Sequence, residues 1–368
     1  MSDNLKRYRA ISAGLKQCFP KRLTPRQWQH FRVMAAMING IVGSRKAQLP
    51  AMADKFPSST QRESRIKRFA RWLQNAEVTQ ASYFAPFAAA LLAGLAAQPL
   101  VLVIDASAVG RGCQCLMLSV VYRKRALPIG WIVFEGSKGH SSQTRHLELL
   151  HQIQALIPAD ATVILLGDGE FDGIEMLEQL ERWGWGYVCR TAKNTILYEE
   201  GIRFSCAEWG AEQGACLHLP QVLFTDAQYG PLMVISWWRE PCDQPLYLVT
   251  NLELAEEACA YYQQRFLIET FFSDQKSRGF QLHKSHLHHP LRLARLLIAA
   301  CLAYLWMIYL GVQATTGPLR RRIHRAHRCD LSLFQLGMAL LEDWLTRGEP
   351  IQVTFALPPP SLFNSVRW

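Results

Sequence analysis

Two apolar runs in this sequence end in an acid. Leu100-Val-Leu-Val-Ile leads into Asp105, and Thr162-Val-Ile-Leu-Leu-Gly leads into Asp168. Short continuous apolar runs read as buried strands, and open α/β sheets meet their ligands at strand ends. Two carboxylates at neighbouring strand ends repel each other and call for a cation. Mg²⁺ suits them, because it takes a few hard oxygen ligands and leaves its other positions to water and phosphate oxygens. A pair of such ions about 3.5–4 Å apart activates a water and stabilises the leaving oxygen of an in-line phosphoryl displacement. Holding both ions needs a third carboxylate, and Glu269 is the candidate. On a continuous helix Tyr262, Arg265, Glu269 and Lys276 fall within an arc of about 60°. An acid set between two cations and a phenol builds a poor core but a good grip on a phosphodiester. A solvated helix face is the competing reading of mixed charges.

The spacing Tyr262-x2-Arg265-x3-Glu269-x6-Lys276 resembles the Y-R-E-K signature of the DDE transposases of bacterial insertion sequences, in the large family often called IS-four. The resemblance covers roughly residues 60–345, with Asp105 and Asp168 in the places of the first two acids. It implies a ribonuclease-H-like catalytic core interrupted by a β-rich insertion. It further implies that Asp105, Asp168 and Glu269 coordinate two Mg²⁺ ions, with Mn²⁺ able to substitute. The implied activity is cut-and-paste transposition: excision by water attack, hairpin ends in relatives, then strand transfer into target DNA. Tyr262, Arg265 and Lys276 then contact phosphates and hold a flipped nucleotide. Trp237 or Trp238 could stack on DNA, a β-sheet core pair being the equal alternative. Arg190 and Lys193 sit where relatives place phosphate contacts, with plain surface charge as their alternative. The implied partners are double-stranded DNA, as transposon ends and target, and a second copy of the chain on that DNA. One departure is clear: the family commonly shows Asp-Arg-Gly-Phe at the second acid, whereas this chain reads Asp168-Gly169-Glu170-Phe171-Asp172. Glu170 and Asp172 are therefore decoy carboxylates.

The elements that must position these groups follow from composition. The 368 residues contain 49% hydrophobic residues and carry a net charge of +10, which excludes a disordered tail or a small disulfide scaffold and favours an anionic partner. The charge is concentrated at the front. Residues 1–80 hold 16 Lys and Arg against 4 Asp and Glu, so the remainder sums to −2. Thr24-Pro25 starts an amphipathic helix. After the Pro57-Ser-Ser-Thr60 break, a helix over 61–73 carries Arg62, Arg65, Lys67, Arg68 and Arg71, which suits a helix-turn-helix-like DNA reader. Ten scattered cysteines and a polar, basic Met1–Arg9 fit a reducing cytoplasm, which the resemblance narrows to the bacterial nucleoid.

The expected organisation is a helical DNA-binding region over 1–97, the first part of the core over 98–194 and a β-rich insertion over 195–250. The second part of the core, with one long helix from Glu253 to about Arg278, occupies 251–312, and a helical C-terminal part occupies 313–368. Within the first core part the order is β-β-β-α-β-α-β, with helices beginning at His140 and Phe171. The uncharged stretch Leu296–Val312 reads as a buried helix, with a membrane span as the rival; no membrane partner is expected. Arg320, Arg321, Arg322, Arg325 and Arg328 form a second basic strip, and Pro358-Pro359-Pro360 a loose tail. His283, His286, His288 and His289 lack the acid or thiol that would complete a zinc set. Two further rivals share the fold: a metal-dependent nuclease that does not join DNA, and a domesticated DNA-binding regulator.

Overall fold

Thr24 accepts from the Gln27 amide and Gln27 returns to the Thr24 backbone, a capping box that, with Pro25 in the first turn, starts the helix where the sequence places it. The computed structural model describes residues 1–19, 23–136, 141–240, 242–315, 318–325 and 329–358. His140, Arg328, Pro359 and Pro360, named above, lie outside the described residues. Among the described residues six helices come first: α1 (Asp3–Gln17), α2 (Pro25–Ser44), α3 (Leu49–Asp54), α4 (Arg62–Gln74), α5 (Gln80–Tyr83) and α6 (Ala85–Leu95). Strands β1 (Leu100–Gly110), β2 (Cys113–Tyr122) and β3 (Arg125–Glu135) lead to α7 (Gln143–Gln154), β4 (Val163–Gly167), α8 (Ile174–Arg182) and β5 (Gly186–Thr191). Helix α8 starts at Ile174 rather than Phe171, because Phe171 closes a tight turn onto the Asp168 carbonyl.

Next come β6 (Ile196–Glu199), β7 (Ile202–Ser205), α9 (Cys206–Trp209), β8 (Cys216–Phe224), β9 (Tyr229–Trp237) and β10 (Leu246–Thr250). The C-terminal elements are α10 (Ala255–Tyr262), α11 (Leu267–Gln275), α12 (Pro290–Ala314), α13 (Leu319–Ile323) and α14 (Leu333–Arg347). The ten strands of the described residues form one sheet in the order β3-β2-β1-β4-β5-β10-β9-β8-β6-β7. Strands β1, β4 and β5 are parallel, and β10 pairs antiparallel with β5. The β-rich stretch 195–250 thus adds strands to the central sheet instead of forming a sheet of its own.

Helices cover both faces. Gly130 of β3 leaves room for Ile153 of α7, while the neighbouring Trp131 donates from its indole to the Ala294 carbonyl of α12; alternate residues of a strand face opposite ways. Helix α12 is long and apolar enough to cross a membrane, but most of its apolar stretch is buried here among β3, α2, α4 and α14. Each fully buried Leu, Ile or Met of this helix contributes about 1.5–3 kcal/mol, so the run reads as a core element. Its crossing with α14 is backbone-close: a Cβ on Gly311 or Gly337 would lie 1.9 Å from the facing carbonyl of Leu333 or Met307.

The expected long helix is the main correction. It breaks into α10 and α11, and Gln264, Arg265, Leu267 and Glu269 donate to carbonyls three residues back. Neither Pro nor Gly stands at the break. A short tightened stretch of this kind replaces α-helical winding, so the continuous 60° stripe does not exist.

Candidate active site

Parallel pairing fixes the row that matters. Val103 pairs with Leu166, and Leu166 with Val188; two residues further along each segment stand Asp105, Asp168 and Arg190. The Asp105 carboxylate accepts from the Ala106 amide at 2.7 Å, and Asp168 from the Glu170 amide at 3.1 Å. Burial pushes the Asp105 carboxyl up to about 6, and the negative charge of Asp168, then that of Glu269, adds to the rise. The Ala106 amide and Arg265 oppose it without cancelling it. The third acid is therefore within electrostatic reach of the first two, although it lies 101 residues beyond Asp168 in the chain.

Glu269 stands in the first turn of α11, its side chain 59% exposed. Arg265, in the tightened turn before it, is buried and lies between the acids. Its Nη1 is 3.8 Å from Asp105 Oδ2 and its Nη2 is 3.4 Å from Glu269 Oε1. The guanidinium lies 4.3 Å from the Phe266 ring centroid, and Nε is buried without an acceptor. Lys276, just past α11, donates to Ser107 Oγ at 2.6 Å. Ser107 is two residues beyond Asp105 and so shares its face of β1; that period-of-two spacing was the signal that could have named it.

Tyr262 is part of the core rather than a surface phenol. Burial raises its hydroxyl to about 12, with Arg265, Arg190 and Asp168 as its charged neighbours. Arg190, Lys193, Asn194, Gln244 and Tyr247 line a cavity of about 440 Å³ that reaches Asp168. Trp237 and Trp238 are half-buried at the end of β9. Arg239 covers the Trp237 ring at 4.9 Å, and the Trp238 indole donates to the Cys242 carbonyl.

The two decoy acids have structural work. Glu170 accepts from the Ser141 amide and, at 2.7 Å, from the Ser141 hydroxyl, which is also 2.6 Å from His146 Nε2. Asp172 accepts from Thr191 Oγ1 at 2.6 Å. The Ser141–His146–Glu170 cluster ties the loop after Asp168 to α7, and nothing local in the sequence announced it.

In the N-terminal helices the basic residues of α4 divide. Arg62 pairs with Asp54 at 2.6 Å, and Arg65 donates to the Ala53 carbonyl at 3.0 Å. Lys67, Arg68 and Arg71 are exposed and, with Arg32 of α2, line a groove of about 700 Å³. Among the described residues of the C-terminal strip, Arg322 pairs with Asp343 and, at 2.8 Å, with Glu349.

Among the described residues no three His, Cys, Asp or Glu groups stand close enough to hold a metal ion as they are placed; the histidines 283–289 make no such set. The donor set of Asp105, Asp168 and Glu269 nevertheless fits a hard divalent cation, since it offers carboxylate oxygens alone and carries excess negative charge.

The family model of the transposase DDE domain matches residues 97–306. No curated protein matches the sequence. A piggyBac transposase, solved as a synaptic complex with hairpin DNA, is similar at a TM-score of 0.46 and 12% identity, covering 94% of this chain and 78% of that one. Human ENDOV is similar at 0.25 and 14%, covering 60% and 97%; neither likeness carries weight. The family match takes in more than half of the chain, including both strand-end aspartates and the helix of Glu269, so the chain belongs to the transposase DDE domain family of nucleic-acid-cleaving enzymes.

Proposed function

We propose that the protein is a cut-and-paste DNA transposase of a bacterial insertion sequence, of the IS-four type with the Y-R-E-K signature. In this reading it excises its element and joins it to target DNA, through hairpin ends, as a dimer on DNA in the bacterial cytoplasm. The observation that carries it is that Asp105 and Asp168 follow neighbouring parallel strands while Arg265 reaches from Asp105, at 3.8 Å, to Glu269, at 3.4 Å. The order β3-β2-β1-β4-β5, with β1, β4 and β5 parallel, supports a ribonuclease-H-like core as its frame.

Asp105, Asp168 and Glu269 are the residues that would hold two Mg²⁺ ions, with Mn²⁺ as a substitute. Bound there, the metal would supply an activated water and stabilise the leaving oxygen. Asp105 and Asp168 are fixed by the sheet and by the amides of Ala106 and Glu170. Lys276, oriented by Ser107, presents a cation beside Asp105. Arg190, with Lys193, offers charge for the phosphates flanking the cleavage point, and buried Tyr262 supports Arg265 and Arg190 from below. Trp237 lies at the same end of the sheet, since β9 reaches β5 through one antiparallel strand, and it or the adjacent Trp238 is the candidate to stack on DNA. Lys67, Arg68 and Arg71 line a groove for the DNA backbone, where cations supply affinity rather than sequence choice. Arg62 and Arg65 are held by α3 and serve the fold.

A plasmid carrying the terminal repeats tests this reading. Asp105→Asn should lower Mg²⁺-dependent end cleavage by on the order of 10²–10³-fold while end binding persists. Unchanged cleavage would refute the assignment. Cleavage by the wild type without joining of pre-cut ends would leave a nuclease.

A further inference from the structure

We propose that Arg265 is the internal counter-cation of the three-acid site, and that a divalent ion held by these acids would take its place on Glu269. This rests on the metal-dependent reading above. Three carboxylates share the site, and Arg265 is the cation that touches two of them. Its contacts of 3.4 and 3.8 Å are long beside the roughly 2.7–2.9 Å of a tight guanidinium–carboxylate bond. The guanidinium therefore balances charge without being locked to either acid.

Two further observations say which bond yields. The Arg265 side chain is 9% exposed and packs on Phe266, whereas Glu269 is 59% exposed. Glu269 can turn from one cation to another at little cost, while Asp105 is held in β1 by the Ala106 amide. Moreover, Arg265 Nε is buried with no acceptor. A buried donor left unpaired is unfavourable, so the arginine is incompletely satisfied in this arrangement. Released from Glu269, it still has Asp105 beside it and a free donor for an incoming oxygen. Phe266, Asp105 and Glu269 lie against the guanidinium. The exchange also accounts for acids that meet electrostatically and yet form no ready three-ligand cluster: their charge is shared with an arginine.

Competition between two cations for one carboxylate makes the unusual prediction that removing Arg265 tightens metal binding. The experiment titrates the full-length protein, without DNA, with Mn²⁺ by calorimetry, and follows free Mn²⁺ by electron paramagnetic resonance. Arg265→Ala should bind Mn²⁺ about tenfold more tightly than wild type, within the roughly 5- to 150-fold usual for coupled sites. Arg265→Lys, which keeps the charge but not the fork that reaches both acids, should fall between them. Arg265→Gln serves in place of the alanine variant if the latter does not fold. In a Glu269→Gln background the gain from removing Arg265 should shrink below about threefold, because the contested carboxylate is gone. Equal gain in both backgrounds overturns exchange at Glu269. Unchanged or weaker Mn²⁺ binding without Arg265 overturns the proposal, provided wild type binds and Asp105→Asn does not. If wild type binds no Mn²⁺, or binds it regardless of Asp105, the metal-dependent reading itself fails.

Discussion

Helix α11 brings Glu269 to the sheet, and its far end is held by a buried ion pair that can be tested by pH. Asp274 accepts from Arg125 Nη1 of β3 at 3.0 Å, with side chains 5% and 13% exposed. Burial pushes the Asp274 carboxyl from its ordinary 3.8 up to about 6, although Arg125 and Arg278 pull it down. A displacement of about 2 units corresponds to about 3 kcal/mol at 1.36 kcal/mol per unit. Because the folded-state value lies above the unfolded one, this stability is fully present below about pH 4 and is lost as pH rises through about 6. Arg125→Met removes the attraction but leaves the burial. It should cost about 3–5 kcal/mol at pH 8, where Asp274 must stay charged without its partner. At pH 5 the carboxyl protonates, and the cost should shrink to about 1–2 kcal/mol of lost packing. The double variant Arg125→Met/Asp274→Leu should return to within about 1–2 kcal/mol of wild type at both pH values. Urea denaturation followed by circular dichroism at pH 5, 6.5 and 8 measures all three. A cost for Arg125→Met that is flat in pH, or larger at pH 5, would refute the account.

Asp168→Asn and Glu269→Gln, like Asp105→Asn, should lower Mg²⁺-dependent cleavage by on the order of 10²–10³-fold in a plasmid assay, the scale of losing one group that stabilises transition-state charge, with the melting temperature showing that the fold is kept. Since Asp105 titrates near 6 in the fold, protons should compete with Mn²⁺ below that pH, and calorimetric affinity should fall as pH drops from 7 to 5. Without metal, Asp105→Asn should stabilise the protein at pH 8 but not at pH 4, read by thermal unfolding. The double variant Lys67→Ala/Arg71→Ala should lower the slope of log affinity against log salt by about 2 in a DNA-binding titration, whereas Arg62→Ala, already paired with Asp54, should change it by less than about 0.5. Glu170→Ala, which strips the acceptor from the Ser141 amide and hydroxyl, should cost about 1–3 kcal/mol in chemical denaturation.

Much of the site could be read from the chain because strand ends are local signals. Continuous apolar runs closing on Asp105 and Asp168 are visible in the sequence, and parallel pairing then forces the two acids into one row. The basic bias of α4 was equally visible, but not its division. Which arginines face Asp54 and the Ala53 carbonyl depends on where α3 lies, and no spacing within α4 encodes that. The break between α10 and α11 was hidden for a different reason. Its residues Gln263 to Phe266 are ordinary helix formers, so tertiary demand, not propensity, shapes the turn.

That demand explains the arrangement of the site. A continuous helix would present Arg265 and Glu269 as successive rungs of one exposed face. The tightened turn lets Tyr262 and Arg265 sink into the core while Glu269 stays exposed. The result is two acids fixed in place, one acid free to turn, and a buried arginine between them. On the proposed reading, the two fixed carboxylates would set where a cation sits and the exposed third would close on it. Arg125 and Asp274 at the other end of α11 then tie the helix to β3 through a buried pair, so that the exposed end that carries Glu269 is anchored from its far end.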